Sequence, residues 1–436
     1  MPLINQPLVP DTIAPGNGDF TLTINGTGFT PRSVVNWNGH GRATTFVSNQ
    51  RLTAVMRASD IATATTGSIT VVTSAPGGGT SNVVYFPVTN ATASVSFSDT
   101  LITMGIESSS FTAGDFNEDG KIDLVVGDPA FEHMISVTLG NGDGTFQPYV
   151  IYPADSNSIV IRTADFNEDG HLDLVMRCFK TVCILLGNGD GTFGPPATFG
   201  PITPEGGSLQ IGDLNGDGHM DVVVANGSDP SVSVFLGNGD GTLQSPVTYA
   251  APSNPVDIAV GDYDRDGNLD LAVVGSRGIA ILRGRGDGRF QYIGEYAGGG
   301  TSIVTADFNG DGNLDLAVAV LGRAYISFLL GNGDGTFQSH VAYPTDHSPN
   351  GLAIGDLNGD GYLDLVTNPN LKISTLLGNG DGTFQPYQTQ RVDGTPGGVA
   401  IADFNQDGRL DIATPYNNGT ASILLQNSIG GFSPRR

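Results

Sequence analysis

Cysteine is almost absent from this chain: two residues in 436, beside one tryptophan and six histidines. Two thiols cannot build a disulfide framework, and with no histidine near them they exclude a structural zinc site. The histidines are scattered, and no GxSxG or HExxH motif occurs, so little is left for general acid–base work beyond carboxylates. Basic residues are also few, 19 Lys and Arg against 44 Asp and Glu, for a formal net charge of −25. That balance excludes nucleic acid and anionic membrane surfaces as partners. No apolar run is long enough to span a bilayer, so membrane insertion is not expected, and no signal peptide is recognisable after Met1-Pro2.

What is plentiful is glycine, 63 residues, with 25 prolines and an ordinary 39% of hydrophobic residues. This composition reads as turn-rich and all-β rather than disordered. The segment DFNEDGKID at Asp115 recurs at Asp165, Asp213, Asp262, Asp307, Asp356 and Asp403, with a period of 45 to 50 residues. A period of that length is one supersecondary unit per repeat.

Each copy carries Asp at positions 1, 5 and 9, Asn or Asp at position 3 and Gly at position 6, which resembles the first half of an EF-hand loop. Oxygen ligands at alternate positions wrap one cation, the backbone carbonyl of position 7 adds another, and the Asp at position 9 closes the loop. The expected ligands are Asp115, Asn117, Asp119, Lys121 and Asp123 in the first copy, and Asp165, Asn167, Asp169, His171 and Asp173 in the second. The third and fourth offer Asp213, Asn215, Asp217, His219 and Asp221, then Asp262, Asp264, Asp266, Asn268 and Asp270. The fifth and sixth offer Asp307, Asn309, Asp311, Asn313 and Asp315, then Asp356, Asn358, Asp360, Tyr362 and Asp364. The seventh offers Asp403, Asn405, Asp407, Arg409 and Asp411.

All-oxygen coordination of this kind favours Ca²⁺ over Zn²⁺ and over Mg²⁺, so about seven calcium ions are expected. Asx-rich turns that need no ion are the plainer reading of one copy. Seven copies of clustered carboxylates would repel one another without a counter-ion. The ligand positions of the loops hold three acidic residues each plus Asp264, half of all those in the chain, so the acidity is largely a property of these sites. Calcium is expected to stabilise rather than to catalyse.

A second signature follows each loop: LGNGDGTF at Leu139, then GNGDGTF at Gly187, GNGDGTL at Gly237, GRGDGRF at Gly284, and GNGDGTF at Gly331 and Gly378. Asn-Gly and Asp-Gly supply the positive φ angles of tight hairpins. Short β-branched runs such as DLVVG and ISVTL lie between loop and turn, which makes four short antiparallel strands per repeat, the unit of a β-propeller. The Arg285-Gly286-Asp287 tripeptide occupies the slot of Asn-Gly-Asp in the other copies and reads as coincidence rather than an integrin signal.

The last repeat stops at GGFSPRR, where its outer strand should begin. Phe97 stands 18 residues before Asp115, matching the 17 to 20 residues from Phe146, Phe193, Leu243, Phe290, Phe337 and Phe384 to the Asp that follows each. The segment 95–103 is therefore expected to complete the seventh blade and close a ring of seven.

These repeats resemble the FG-GAP/VCBS repeats of the integrin-α type of β-propeller, over residues 91–436. The seventh copy departs from the pattern, with QNSIGGF in place of the glycine-rich turn. Residues 1–90 differ in kind. Alternating segments FTLTINGTGF, SVVNWNG, SITVVTS and SNVVYFPV predict a small β-sandwich of Ig-like size. Its INGTGFTP, WNG and PGGGTSN motifs resemble an IPT/TIG domain, which implies a spacer or partner-binding module, with Trp37 in its core.

Cys178 and Cys183 flank the hairpin CFKTVC, and a turn at Lys180-Thr181 would oppose them directly across two strands. A disulfide is favoured there over two thiols. In four-stranded blades the cation loops and glycine-rich turns share one face. The other face carries loops that differ in every repeat, and its candidate ligand residues are Phe131, Glu132, His133, Arg177, Phe179, Lys180, Arg277, Arg323, Tyr325, Asp346, His347, Tyr416 and Asn417. Aromatic, Arg and Asn groups suit stacking on and hydrogen bonding to a polar ligand.

The expected protein is a monomeric, secreted or surface-displayed binding module for a glycan or protein ligand, since lectins and adhesion receptors occur among similar propellers. The alternative is a polysaccharide lyase or another carbohydrate-active enzyme, since related propellers also carry these.

Overall fold

The computed structural model describes residues 2–427 apart from 11, 75–78, 82, 90, 91, 93, 107–109, 128–133, 155–159, 205, 252 and 253. Among the described residues there is no α-helix, and no helix is long and apolar enough to cross a membrane. The N-terminal part is a sandwich of two antiparallel sheets. One contains Leu3–Val9, Phe20–Thr27, Ala43–Ser48 and Arg51–Met56; the other contains Ser33–Trp37, His40–Gly41, Thr65–Thr73, Gly79–Thr80 and Val84–Val88. Strict alternation explains it: Thr65–Thr73 buries every second residue, so Ile69 and Val71 reach the shared core of Leu22, Ile24, Trp37 and Phe86. Trp37 is a core residue, with its ring edge-on to Phe86 at 5.7 Å, and a Cβ on Gly67 would lie 2.4 Å from it.

The rest of the chain is a repeat β-propeller of four-stranded antiparallel sheets, six of which pair their strands in chain order. Sheet one is Ser110–Gly114, Asp123–Gly127, Met134–Thr138 and Val150–Pro153. Sheet two is Val160–Ala164, Asp173–Arg177, Val182–Leu185 and Ala197–Phe199; sheet three is Leu209–Gly212, Asp221–Ala225, Ser231–Phe235 and Val247–Ala250. Sheet four is Pro255–Gly261, Asp270–Gly275, Ile279–Gly284 and Phe290–Tyr296; sheet five is Ser302–Ala306, Asp315–Ala319, Tyr325–Leu329 and Val341–Pro344. Sheet six is Leu352–Gly355, Asp364–Thr367, Lys372–Leu376 and Gln388–Arg391. Sheet seven has Ala400–Ala402, Asp411–Pro415 and Thr420–Gln426, and its outer strand is Phe97–Thr103, in unbroken register from Phe97 opposite Gln426 to Thr103 opposite Thr420.

Burial follows position in the sheet. Second and third strands such as Asp123–Gly127 and Ser231–Phe235 are buried at every residue, because neighbouring sheets cover both faces; this explains their continuous β-branched runs. Outer strands such as Val150–Pro153 are largely exposed. Aromatic pairs join neighbouring sheets: the residue closing each glycine-rich turn meets position 2 of the preceding loop, as in Phe193 on Phe116 (5.7 Å), Phe337 on Tyr263 (5.4 Å) and Phe384 on Phe308 (5.7 Å). Phe146 of sheet one meets Phe404 of sheet seven in the same way, at 6.1 Å.

Candidate functional site

Each loop is built from nested side-chain-to-backbone bonds. In the first, Asp115 accepts from the N–H groups of Asp119 (3.1 Å) and Gly120 (2.8 Å), Asn117 accepts from Asp119 N–H, and Asp119 accepts from Lys121 N–H (3.0 Å). Gly120 at φ +82° makes the turn that these bonds need. The seventh loop repeats the pattern through Asp403, Asn405, Asp407 and Arg409, with Gly408 at φ +86°.

Position 9 has a second task that the spacing did not reveal. Asp123 is fully buried, and its two oxygens accept from Phe116 N–H (2.9 Å) in the loop and Gly140 N–H (2.7 Å) at the glycine-rich turn. Asp173, Asp221, Asp270, Asp315 and Asp364 bracket the same two positions in their sheets. Asp411 instead holds Phe404 and Gln426, since the seventh copy lacks the glycine-rich turn.

Burial, with neighbouring carboxylates adding to it, raises these acids above the usual range: Asp123 and Asp173 to about 6, Asp221, Asp270 and Asp315 to about 7, and Asp411 to about 8. In the fourth loop, oxygens of Asp262, Asp264 and Asp270 lie within 4.8 Å of one another. A carboxylate oxygen that accepts one N–H still has a lone pair to offer. The donor set, all oxygen and crowded with like charge, fits a hard divalent cation such as Ca²⁺.

The sequence reading missed position 4. Glu118 reaches His171 of the next loop at 2.5 Å, Glu168 reaches His219 at 2.6 Å, and Arg265 reaches Asn313 at 3.2 Å. Gln406 donates to the carbonyl of Gly120, which links loop seven to loop one. These four residues share a positive φ of 56 to 62°. Glu, Arg or Gln in four copies where the other three have Gly was the available signal.

The sandwich is seated on the loop face. Gln50 Nε2 donates to Asp262 Oδ2 at 2.8 Å, Tyr85 packs against the apolar clusters that contain Leu410 and Phe404, and in the segment that follows the sandwich Thr92 N–H donates to the Asn358 carbonyl at 2.7 Å. Between the two parts, Leu8, Val84, Pro87, Ile354 and Leu363 line a cavity of about 40 Å³.

On the opposite face, Phe179, Arg277, Arg323 and His347 are exposed and Tyr325 is half-buried. Two expected ligand residues are corrected. Arg177 ends its strand with the side chain turned inward, fully buried, donating through Nη2 to the Thr203 carbonyl; burial lowers its pKa to about 10. Tyr416 is 1% exposed, with its hydroxyl on Ser422 Oγ at 2.6 Å and its ring against Gly394. Phe131, Glu132 and His133 lie outside the described residues.

Cys178 and Cys183 are bonded, with Cα atoms 6.1 Å apart, but they are not directly opposed. Cys183 faces Met176, and Cys178 N–H bonds to the Thr181 carbonyl, so the turn sits at Phe179-Lys180, one residue earlier than the expected one. Within the pairing, Lys372 stands directly opposite Arg391, and Asp346 accepts from both Lys372 Nζ and His347 Nδ1.

Six overlapping segments, 115–176, 165–224, 213–273, 262–318, 307–367 and 365–414, match the FG-GAP-like repeat. No curated protein matches the chain in sequence. Among solved structures, the chain is similar to an Agrocybe aegerita lectin described as recognising non-reducing terminal N-acetylglucosamine, with 21% identity, a TM-score of 0.50, and coverage of 82% of this chain and 96% of that one. It is also similar to BBS1N, solved in complex with ARL6DN, at 12% identity and a TM-score of 0.53, covering 77% and 98% of the two chains. An auxiliary nutrient binding protein from Bacteroides ovatus shares 10% identity over 98% of both chains, at a TM-score of 0.44. At these identities the likeness is one of fold.

Proposed function

The chain belongs to the FG-GAP-like repeat family, matched over more than half its length, and from that premise we propose that it is a calcium-stabilised, seven-bladed binding module working outside the cell on a carbohydrate or protein ligand. The observation that carries the reading is the division of the two faces. Part of the loop face is covered by the sandwich, through Gln50 on Asp262, while among the described residues the face with non-repeating loops is left uncovered. Binding residues concentrate on variable loops held by a rigid scaffold.

A ring of seven is supported by the Phe97–Thr103 clasp and by the bond from Gly144 N–H of sheet one to the Phe404 carbonyl of sheet seven, 3.1 Å. Calcium is supported by the oxygen donor set, and an extracellular setting by the Cys178–Cys183 bond. The sandwich, read as an IPT/TIG-type Ig-like domain, serves as a cap on the loops as well as a spacer. A glycan is the class of ligand that the Agrocybe lectin is described as recognising, and it suits the Arg, Tyr and amide groups of the open face.

The test is a glycan array probed with calcium-loaded and EDTA-treated protein. Saturable binding of the loaded form, weakened by Arg323→Ala or Tyr325→Ala, supports the reading. A blank array, together with no captured protein ligand, would sink it.

A further inference from the structure

We propose that the cavity at the open end of sheet six is a binding site for a carboxylate-bearing sugar, a uronate or sialate residue of an acidic glycan. The proposal rests on the open face being the ligand surface and names the class of ligand it takes. The cavity has a volume of about 270 Å³ and is lined by His347, Asn370, Leu371, Lys372 and Arg391. That is just below the ~300–1,000 Å³ typical of sites for drug-sized ligands, so it suits a single sugar ring rather than a long stretch of polymer.

Its wall is almost entirely apolar, and the charges around it are unusual for this chain. Only 19 of its 436 residues are Lys or Arg, yet Lys372 and Arg391 are direct register partners on the two outer strands. Like charges placed directly opposite destabilise a strand pair. Lys372 has a counter-ion in Asp346, which also takes His347 Nδ1 at 2.9 Å. Arg391 is exposed and has no hydrogen bond or ion pair among the described residues. Asp393, two residues on, acts on Asp99 and Tyr416 toward sheet seven.

Lys372 and Arg391 bring two positive charges to the site and Asp346 one negative, which is spent on Lys372, so the site lacks one negative charge. A ligand carboxylate would supply it, since the planar guanidinium fork of Arg391 matches a carboxylate with two parallel bonds. Leu371, 42% exposed, offers an apolar surface for a ring face, and Asn370, held at φ +48° in the turn, offers an amide for hydroxyls. The acidic loops are on the other face. At physiological salt, charges more than about 8 Å apart through solvent are largely screened, so the net charge of the chain does not cancel this local surplus.

The experiment is calorimetric titration of the full calcium-loaded chain with trigalacturonate, a sialylated trisaccharide, a neutral galactose trimer and hexaglutamate. The expected result is that an acidic sugar binds at least tenfold more tightly than the neutral trimer. Arg391→Ala should weaken it tenfold or more, Arg391→Lys should restore only part, and Arg289→Ala, at the exposed glycine-rich turn of the other face, should leave it unchanged, with melting curves of all variants superimposed. Whichever acidic sugar binds more tightly identifies the source. Glycan binding that ignores Arg391→Ala would overturn this site and leave the glycan reading standing. Absence of binding to every saccharide would overturn both. Hexaglutamate bound as tightly as trigalacturonate would replace the sugar with an acidic peptide.

Discussion

Phe97 and Gln426, at opposite ends of the propeller part of the chain, are register partners in one sheet. The strand Phe97–Thr103 therefore covers an edge that sheet seven would otherwise expose. Replacing residues 97–103 by a Gly/Ser linker should lower the melting temperature and produce concentration-dependent self-association, because an open edge pairs with other chains. Calorimetry and size-exclusion chromatography read both effects. A monomer with an unchanged melting curve would show that the clasp is dispensable.

The bracket at position 9 gives a sharper prediction. Asp221 is fully buried and accepts from Leu214 N–H at 2.8 Å and Gly237 N–H at 2.7 Å. Asp221→Ala leaves two buried donors without acceptors and should cost about 2–5 kcal/mol in urea unfolding. Asp221→Asn keeps one acceptor and removes a buried charge, so it should cost clearly less. Equal losses for the two variants would contradict the bracketing role.

Chelation should be as damaging as a core mutation. With extracellular-type affinities, about 1 mM calcium contributes roughly 0.4–1.4 kcal/mol per site, or about 3–10 kcal/mol over seven sites. EDTA should lower the melting temperature, added Ca²⁺ should restore it, and Mg²⁺ at equal concentration should restore much less. No response to EDTA would leave the loops as metal-free turns.

Strong acid should act on the sandwich through Asp60. Arg42 grips Asp60 through Nε at 2.9 Å and Nη2 at 2.8 Å. Burial alone would raise the Asp60 pKa, but the hydrogen bonds from Arg42 and from Arg57 N–H outweigh it and hold the carboxyl below 3.8. A depressed acid contributes stability above its unfolded pKa and loses it as pH falls through the folded one. Wild-type stability should therefore fall below pH 3.8 by more than that of Asp60→Asn, followed by Trp37 fluorescence. Parallel curves would remove Asp60 from the acid response.

Local and periodic features were legible in the sequence. The Asp-x-Asn-x-Asp-Gly spacing and the Asn-Gly-Asp-Gly turns repeat within one unit, where each residue meets partners a few positions away. The missing strand could be found because Phe97 keeps the same distance to Asp115 as its counterparts do. Contacts between repeats were not legible. Glu118 and His171 are 53 positions apart, and each reads alone as a solvated loop residue.

Arg177 and Tyr416 misled for a related reason. Both close a strand beside a variable loop, and whether the side chain turns to solvent or between sheets depends on the neighbouring blade. The seating of the sandwich on the loops likewise rests on single residues such as Gln50, with no motif to announce them.

The clasp also sets the order in which the molecule can be finished during synthesis. Its strand, Phe97–Thr103, leaves the ribosome before any other strand of the propeller, and its partner Thr420–Gln426 comes after all of them. At about 5–20 residues per second the first waits on the order of tens of seconds for the second. Throughout that interval a nascent chain carries a bare strand able to pair with any other edge nearby. Crowded polysomes are thus where mispairing between copies should begin, and a chaperone that shields residues 97–103 until the end would raise the yield of the folded protein.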